Sequence, residues 1–385
     1  MGSILIIAGE NSGEKHGANL VRQFKKIQPS WTFFGIGGKS MAAEGVRIIS
    51  SVDQLALVGL FEIVTHIPRL LKLFHLIKKE AIKNRPEAAV LIDSPDFNLR
   101  IAKRLKKLSI PILYYISPTV WAWRRKRLKV IKKTVDKMLL IFPFEEKIYK
   151  QHNIPAIYVG HPLKERMEIS LSKQEFIQKY NVDLQKKLIL ILPGSRKSEV
   201  KNHMSTLIQA IKKIQKEYQA QFFLLLAENL EEQDVASFIP SHAENLKMIR
   251  QDSYEALAYC DIALSSCGTA NLEAALLGAP VVSFYRILPL TYSLGVRFIK
   301  IKNYSIVNIL AEERVIPELI QNDFTAENIL KETKKILESE KIRSKMKEHY
   351  RRISHILGEK IASENAAREL EKMIECSGKI TDPAG

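Results

Sequence analysis

Residues 4–14 read ILIIAGENSGE: five apolar residues, Ile4–Ala8, run into Gly9-Glu10-Asn11-Ser12-Gly13, and a helical pattern follows from Glu14. A short run that is apolar throughout, without alternation, suits a strand covered on both faces in a parallel sheet. Glycines between strand end and helix start let a ligand approach the backbone and turn amides toward an anion. The same arrangement recurs. Ala88–Asp93 leads into Ser94-Pro95-Asp96-Phe97, Leu188–Leu192 into Pro193-Gly194-Ser195-Arg196, and Ile262–Ser265 into Ser266-Cys267-Gly268-Thr269-Ala270-Asn271-Leu272-Glu273.

Working outward, further apolar strands are expected at Thr32–Ile36, Ile112–Ile116, Met138–Phe142 and Ile157–Val159, then Phe222–Leu226, Leu246–Arg250 and Val281–Phe284. Helical segments separate them, at about Glu14–Ile27, Ile67–Lys83, Phe97–Leu108, Phe144–Gln151 and Val200–Tyr218. Asp252 and Glu255 have capping-box spacing ahead of a helix at Ser253–Cys260. This alternation predicts an α/β fold of two doubly wound, Rossmann-like domains facing a central cleft. The expected divisions are residues 1–170, residues 186–350, and a helical tail, 351–385, that packs back on the first domain. A chain of 385 residues accommodates two cores of ~150–190 residues each. Ligands in such folds sit beyond the carboxyl ends of the strands, so the loops after each strand are where function is sought.

Composition narrows the function. With 46% apolar and 26% charged residues the chain is globular. It shows no basic leader and no apolar run approaching the ~18 residues of a membrane span. Three scattered cysteines make neither a disulfide framework nor a zinc site, so a cytoplasmic, reduced location is expected. The net charge of +17 points to phosphates or anionic lipid. Arg124, Arg125, Lys126, Arg127, Lys129, Lys132 and Lys133 form a run with no acidic residue, directly after Trp121 and Trp123. Basic residues beside aromatics suit a membrane interface. No helix-turn-helix, RNP or zinc-finger pattern accompanies them, so nucleic acid is not the expected partner. The basic stretch Lys331–Arg352 carries interleaved glutamates at helical spacing and reads as a solvated face.

Among the loops, GENSG lacks the G-x-G-x-x-G spacing of a nicotinamide site, and Glu10 would repel a dinucleotide phosphate; it suits a hydroxyl-bearing sugar. Asp93 emerges from an apolar strand at its carboxyl edge, where desolvation would raise its pKa toward that of a general base. Asp96 reads more simply as a helix cap. Trp121 and Trp123 either stack a sugar and meet lipid or, for one of them, fill core. The apolar stretch Leu55–Leu73, with Val58, Leu60 and Phe61, is either core or a surface for acyl chains. Gly194, Ser195 and Arg196 offer amides and a guanidinium fork to a diphosphate, without the G-K-[ST] of an ATP-hydrolysing loop. Gly268, Thr269, Ala270 and Asn271 open a helix, an anion site, and Glu273 in its first turn is placed for two ribose hydroxyls. Asn308 is a lone amide in an apolar run, either ligand-binding or core. The histidines form no zinc pattern and no D-x-D stands at a strand end for Mg²⁺, so no metal and no cofactor are expected.

Taken together, AGENSGEKHGA, FFGIGG, VGLFEIV, IDSPDFNL, YYISPTVWAWRRKR, FPFE, VGHPL, LPGSR, SCGTANLEAALLGAPVVSFYR and IVNILA resemble the lipid-A-disaccharide synthase family, over about residues 3–320. The resemblance implies a GT-B fold and an inverting transfer of 2,3-diacylglucosamine from its UDP conjugate to 2,3-diacylglucosamine 1-phosphate. The β-1,6 disaccharide and UDP are the implied products, at the cytoplasmic face of the inner membrane on anionic lipid; a homo-oligomer is compatible with this. By motif, Asp93 and Glu10 match acidic positions needed for activity, while Arg196, Glu273 and Asn308 match nucleotide-side and interdomain positions. Ser12, Gly13, Trp121, Trp123, Arg124 and Arg127, with Val58, Leu60 and Phe61, are the implied acceptor and lipid contacts. Glu14, Cys267 and Asn271 depart from the Asp, Ser and Thr common at those places. Two rival readings are another UDP-sugar enzyme of the same fold, such as a UDP-GlcNAc 2-epimerase, and a non-catalytic peripheral lipid-binding protein.

Overall fold

The structure is a computed structural model that describes residues 2–52, 63–122, 124–240, 245–287 and 302–380. The chain forms two compact units, residues 1–165 with 357–385, and residues 166–356. The first crossing thus falls at Glu165, where 170 was expected, and the return at Leu357, where 351 was expected.

Among the described residues unit 1 holds seven parallel strands: β1 (Ser3–Ala8), β2 (Thr32–Gly37), β3 (Val46–Ser51), β4 (Ala88–Ile92), β5 (Ile112–Tyr115), β6 (Lys137–Leu140) and β7 (Ala156–Tyr158). Their order is β3-β2-β1-β4-β5-β6-β7. Strand periodicity divides the core in two. Leu5 and Ile7 face a cluster with Phe74, Ile77, Leu105 and Ile131 from the helices Ile63–Asn84, Pro95–Lys106 and Arg127–Thr134. Ile4, Ile6 and Ala8 face the opposite way, onto Leu20 and Phe24 of the helix Asn11–Ile27 and onto the tail helix Ala362–Ile380. That tail helix presents Ala362, Ala366, Ala367, Leu370 and Ile374 at helical spacing. The Gln28 side-chain amide donates to Glu371 at 2.9 Å, and the hydroxyl of Tyr158 to the carbonyl of Leu357 at 2.7 Å, fixing the tail within unit 1.

Among the described residues unit 2 holds six parallel strands: β8 (Lys187–Leu192), β9 (Ala220–Leu225), β10 (Leu246–Ile249), β11 (Ile262–Ser266), β12 (Val281–Tyr285) and β13 (Glu318–Ile320). Their order is β10-β9-β8-β11-β12-β13. Two strands were not expected from sequence, β3 and β13. Both are edge strands, one carrying polar residues (VRIISS) and one of three residues, so neither shows the apolar run of a central strand.

The helix at Ser253–Tyr259 is present, but the Asp252–Glu255 capping box is not. Asp252 is left-handed (φ 54°) and its carboxylate takes Lys179 and the Tyr180 hydroxyl, while Glu255 takes the N–H groups of Ser170 and Leu171. Both acids pin the segment 166–180 to unit 2. Among the described residues no helix is long and apolar enough to cross a membrane.

Candidate active site

Each sheet has one place where the strand order reverses direction. In unit 1 it lies between β1 and β4, paired in register Ile7 to Leu91 and Ala8 to Ile92. The residues that follow are Gly9 and Glu10 on one strand and Asp93 on the other. The two acidic residues singled out from sequence therefore leave adjacent strands at the switch point, where such folds bind ligands. Gly9 makes the approach of the loops feasible: a Cβ there would come 1.9 Å from Cβ of Ser94. Glu10 is exposed and starts the helix Asn11–Ile27 without using its carboxylate as a cap. Asp93 is half-buried. Ser12 is exposed, and Gly13 is buried against Ile92. Glu14 is buried and structural: it accepts the N–H of Met41 at 3.0 Å and the Ser40 hydroxyl at 3.2 Å, tying the short helix Lys39–Ala43 after β2 to the same region.

Asp96 is not the helix cap expected of it; Ser94 occupies that position. Its carboxylate instead accepts Arg124 (2.8 Å) and Arg127 (2.6 Å). The basic run thus has an acidic partner invisible in the linear sequence. Arg125, Lys126, Lys129, Lys132 and Lys133 are exposed, on and before the helix Arg127–Thr134. Trp121 packs edge-on against Phe144 at 5.5 Å, which gives it a packing role. Trp123, Val58, Leu60 and Phe61 lie outside the described residues.

One residue that lies in a quoted motif, FPFE, but was not singled out from sequence is Glu145. It is buried, and burial pushes its carboxyl up to about 8, with Ser117 opposing the rise. Ser117 in turn shares a 2.7 Å hydrogen bond with the hydroxyl of Tyr149. Its only sequence signal was an acid directly after an aromatic residue, followed by a second acid, Glu146.

In unit 2 the order reverses between β8 and β11, so the loops Pro193–Arg196 and Cys267–Asn271 flank the switch point. Gly194 is left-handed-permissive (φ 126°), as the turn requires. The amides of Ser195 and Arg196, expected to face a diphosphate, already donate to Glu199 at 2.9 and 3.3 Å. What this loop leaves exposed are Ser195 and the Arg196 side chain, the latter with Glu199 at 3.8 Å. His203 braces the loop from beneath: Nδ1 donates to the Pro193 carbonyl at 2.7 Å and Nε2 accepts the Arg286 N–H at 3.0 Å. Burial lowers its pKa, in keeping with the neutral tautomer these bonds require.

On the β11 side, Gly268 and Thr269 are exposed and Gly268 has an extended backbone (φ −178°). A Cβ on Gly268 would meet no protein atom within 4 Å. No described neighbour, and no backbone constraint, calls for glycine there. Ala270 is half-buried in the first turn of the helix Thr269–Leu276. Glu273 is half-buried, and its carboxyl is raised by burial and opposed by Arg166. Cys267 is pushed up to about 12 by burial, which leaves its thiol protonated.

Two amides expected at the ligand turn inward instead. Asn271 is fully buried, donating to the hydroxyls of Ser283 (2.7 Å) and Ser305 (3.3 Å). Asn308 is fully buried and saturated. It donates to Ile316 O and Glu318 at 2.9 Å each and accepts the N–H groups of Val315 and Ile316 at 2.8 and 2.9 Å. With every hydrogen-bonding position of its side chain filled by protein, Asn308 holds the loop before β13. Among the described residues no group of three or more His, Cys, Asp or Glu is placed to hold a metal ion.

With this geometry in hand, the comparisons decide between the UDP-sugar readings. The family model for lipid-A-disaccharide synthetase matches residues 4–372. The chain belongs to the lipid-A-disaccharide synthase family. It is 37% identical to the lipid-A-disaccharide synthase of Geobacter metallireducens over 96% of this chain and 97% of that one. The Nitrosococcus oceani enzyme of the same name is 38% identical over 92% of each chain. The chain is accordingly a glycosyltransferase of lipid A biosynthesis, a family that implies a UDP-sugar and a lipid acceptor. In fold it is similar to UDP-GlcNAc 2-epimerase from Neisseria meningitidis bound to UDP-GlcNAc, with a TM-score of 0.67 and 13% identity, covering 97% of this chain and 100% of that one. It is also similar to a calicheamicin glycosyltransferase, with a TM-score of 0.61 and 11% identity over the whole of both chains. These likenesses support the GT-B fold; at such identity the epimerase is a neighbour in fold, and the family match favours glycosyl transfer.

Proposed function

We propose that Asp93 is the general base of an inverting transfer in which 2,3-diacylglucosamine moves from its UDP conjugate to the 6-hydroxyl of 2,3-diacylglucosamine 1-phosphate. The observation carrying this is the emergence of Asp93 and Glu10 from adjacent strands at the switch point of unit 1. A carboxylate takes the proton of the acceptor hydroxyl as that oxygen bonds to C1 of the donor sugar. The bond from C1 to the diphosphate oxygen breaks, and UDP leaves with the electron pair. Glu10 assists or substitutes as base.

In unit 2 the start of the helix Thr269–Leu276 receives the diphosphate. Gly268 fits that role because its missing side chain spares no protein contact. The exposed Arg196 guanidinium balances the charge of the departing group. Glu273, one turn further on, binds the ribose hydroxyls. The exposed lysines and arginines around Arg125–Lys133 hold the enzyme at the anionic inner face of the inner membrane.

The test is release of UDP together with disaccharide formation from the two acylated substrates in detergent micelles. Asp93→Asn is expected to lower turnover at least about a hundredfold with UDP affinity kept, and Arg196→Ala to weaken UDP. Full turnover by Asp93→Asn would sink the base assignment.

A further inference from the structure

Asp93 and Ser94 are both left-handed (φ 50° and 42°), two consecutive non-glycine residues in a region L-residues avoid. Such a backbone persists only where its surroundings over-determine it. Here they do. The Asp93 carbonyl accepts the Tyr114 hydroxyl at 2.6 Å and the Asn98 side-chain amide at 2.8 Å. The same amide donates to the Ile92 carbonyl at 3.0 Å, which also accepts the N–H of Gly9 at 3.3 Å. The Asp93 N–H donates to Tyr115 O at 3.0 Å. Both peptide groups flanking the Asp93 side chain are thereby fixed.

We propose that Asn98 and Tyr114 are positioning residues, which set where the Asp93 carboxylate emerges from β4 and so make it effective as a base. This rests on the reading of Asp93 given above. Tyr114 reaches the carbonyl from the neighbouring strand, β5, in register with Leu91. Asn98 reaches it from the first turn of the helix Pro95–Lys106, and both residues are fully buried. The Asn98 Oδ1 has no partner among the described residues. An apolar side chain would avoid that unpaired acceptor, so what the site gains from asparagine is its two donors. Aspartate would lack them and set a charge against two carbonyls, while glutamine would add a methylene where the reach is fixed. The contact also links the two acidic loops, because the Ile92 carbonyl is shared between Asn98 and Gly9.

Tyr114→Phe removes one hydroxyl and changes nothing else. In the full-length enzyme it is expected to lower kcat by about tenfold to a hundredfold, while the Kd for UDP, measured by calorimetry, changes less than about twofold. The loss should travel through Asp93. On an Asp93→Glu background, where the carboxylate is already displaced, the same substitution should cost under about threefold. Asn98→Ser, which removes both amide donors, should give the same pattern and carries the test if Tyr114→Phe is unstable. Equal losses on both backgrounds, a parallel fall in UDP affinity, or unchanged kcat in both variants would overturn the inference. Full activity of Asp93→Asn would instead overturn the base assignment beneath it.

Discussion

The carboxylate of Glu199 accepts the backbone N–H of Ser195 at 2.9 Å, closing the loop after β8 on itself. The N–H of Arg196 joins it at 3.3 Å, and the Tyr285 hydroxyl donates to the other oxygen at 3.2 Å. A loop that looks built to give its amides to a phosphate gives them to its own helix, and the arginine side chain is what it presents.

Glu199→Ala should therefore lower stability by about 1 kcal/mol, the worth of a lost helix cap, or about 2–4 °C in Tm. UDP binding should weaken several-fold, because Arg196 loses its fixed mount; Glu199→Gln should keep most of it. Calorimetric titration with UDP reads the effect. Tighter binding by Glu199→Ala would show that the carboxylate competes with phosphate.

Asn308→Ala tests the assignment of that residue to structure. It strips partners from a buried and a half-buried N–H group, one carbonyl and the Glu318 carboxylate. Urea unfolding should show a loss of about 3 kcal/mol or more. UDP affinity of the folded fraction should stay within about twofold; a stable variant with lost UDP binding would make Asn308 a ligand contact.

Two buried groups of unit 1 give opposite pH dependences. Burial, seconded by the charge of His16, takes His161 from 6.5 down to about 3. The unfolded chain then binds the proton more readily, so this contribution is full above pH 6.5 and is lost as pH falls from 6.5 toward 3. Burial takes Glu145 from 4.5 up to about 8, so its contribution is full below pH 4.5 and is lost as pH rises toward 8. Glu145→Gln, which mimics the protonated acid, should raise Tm above wild type at pH 8. The advantage should shrink to nothing near pH 4.5, as followed by thermal melts across the range. An advantage independent of pH would mean that Glu145 is not protonated in the folded protein.

Charge reversal at Arg125, Lys126 and Lys129 should cut co-sedimentation with vesicles containing an anionic phospholipid by about tenfold or more, on the order of 1 kcal/mol per basic residue. Turnover in detergent micelles should be unaffected. Wild-type binding should fall as salt rises; binding that ignores both salt and these charges would place lipid contact elsewhere. Arg127 is left out because it is held by Asp96.

What the sequence determined by itself was the local grammar. Apolar runs without alternation specify strands buried on both faces, and the glycine turns that follow them mark the carboxyl edge, because both depend on neighbours within a few residues. That sufficed for the parallel sheets, for Glu10, Asp93 and Arg196 at strand ends, and, through ten spaced motifs, for the family resemblance. It did not suffice for edge strands such as β13, whose three residues become a strand only against β12. Nor could it say where a polar side chain points. Asp96 pairs with Arg124 and Arg127 across about thirty residues of chain. Asn308 and Asn271 read as candidate ligand contacts and proved to be buried in hydrogen-bond networks. Asn98 and Tyr114 lie in two of those motifs, yet nothing marked them out as site residues, because an amide in a helix start and a tyrosine in a strand have many uses. Their role exists only where the helix Pro95–Lys106 and β5 bring both donors onto one carbonyl. A hydrogen bond has a length and a direction, and only the packed chain supplies them.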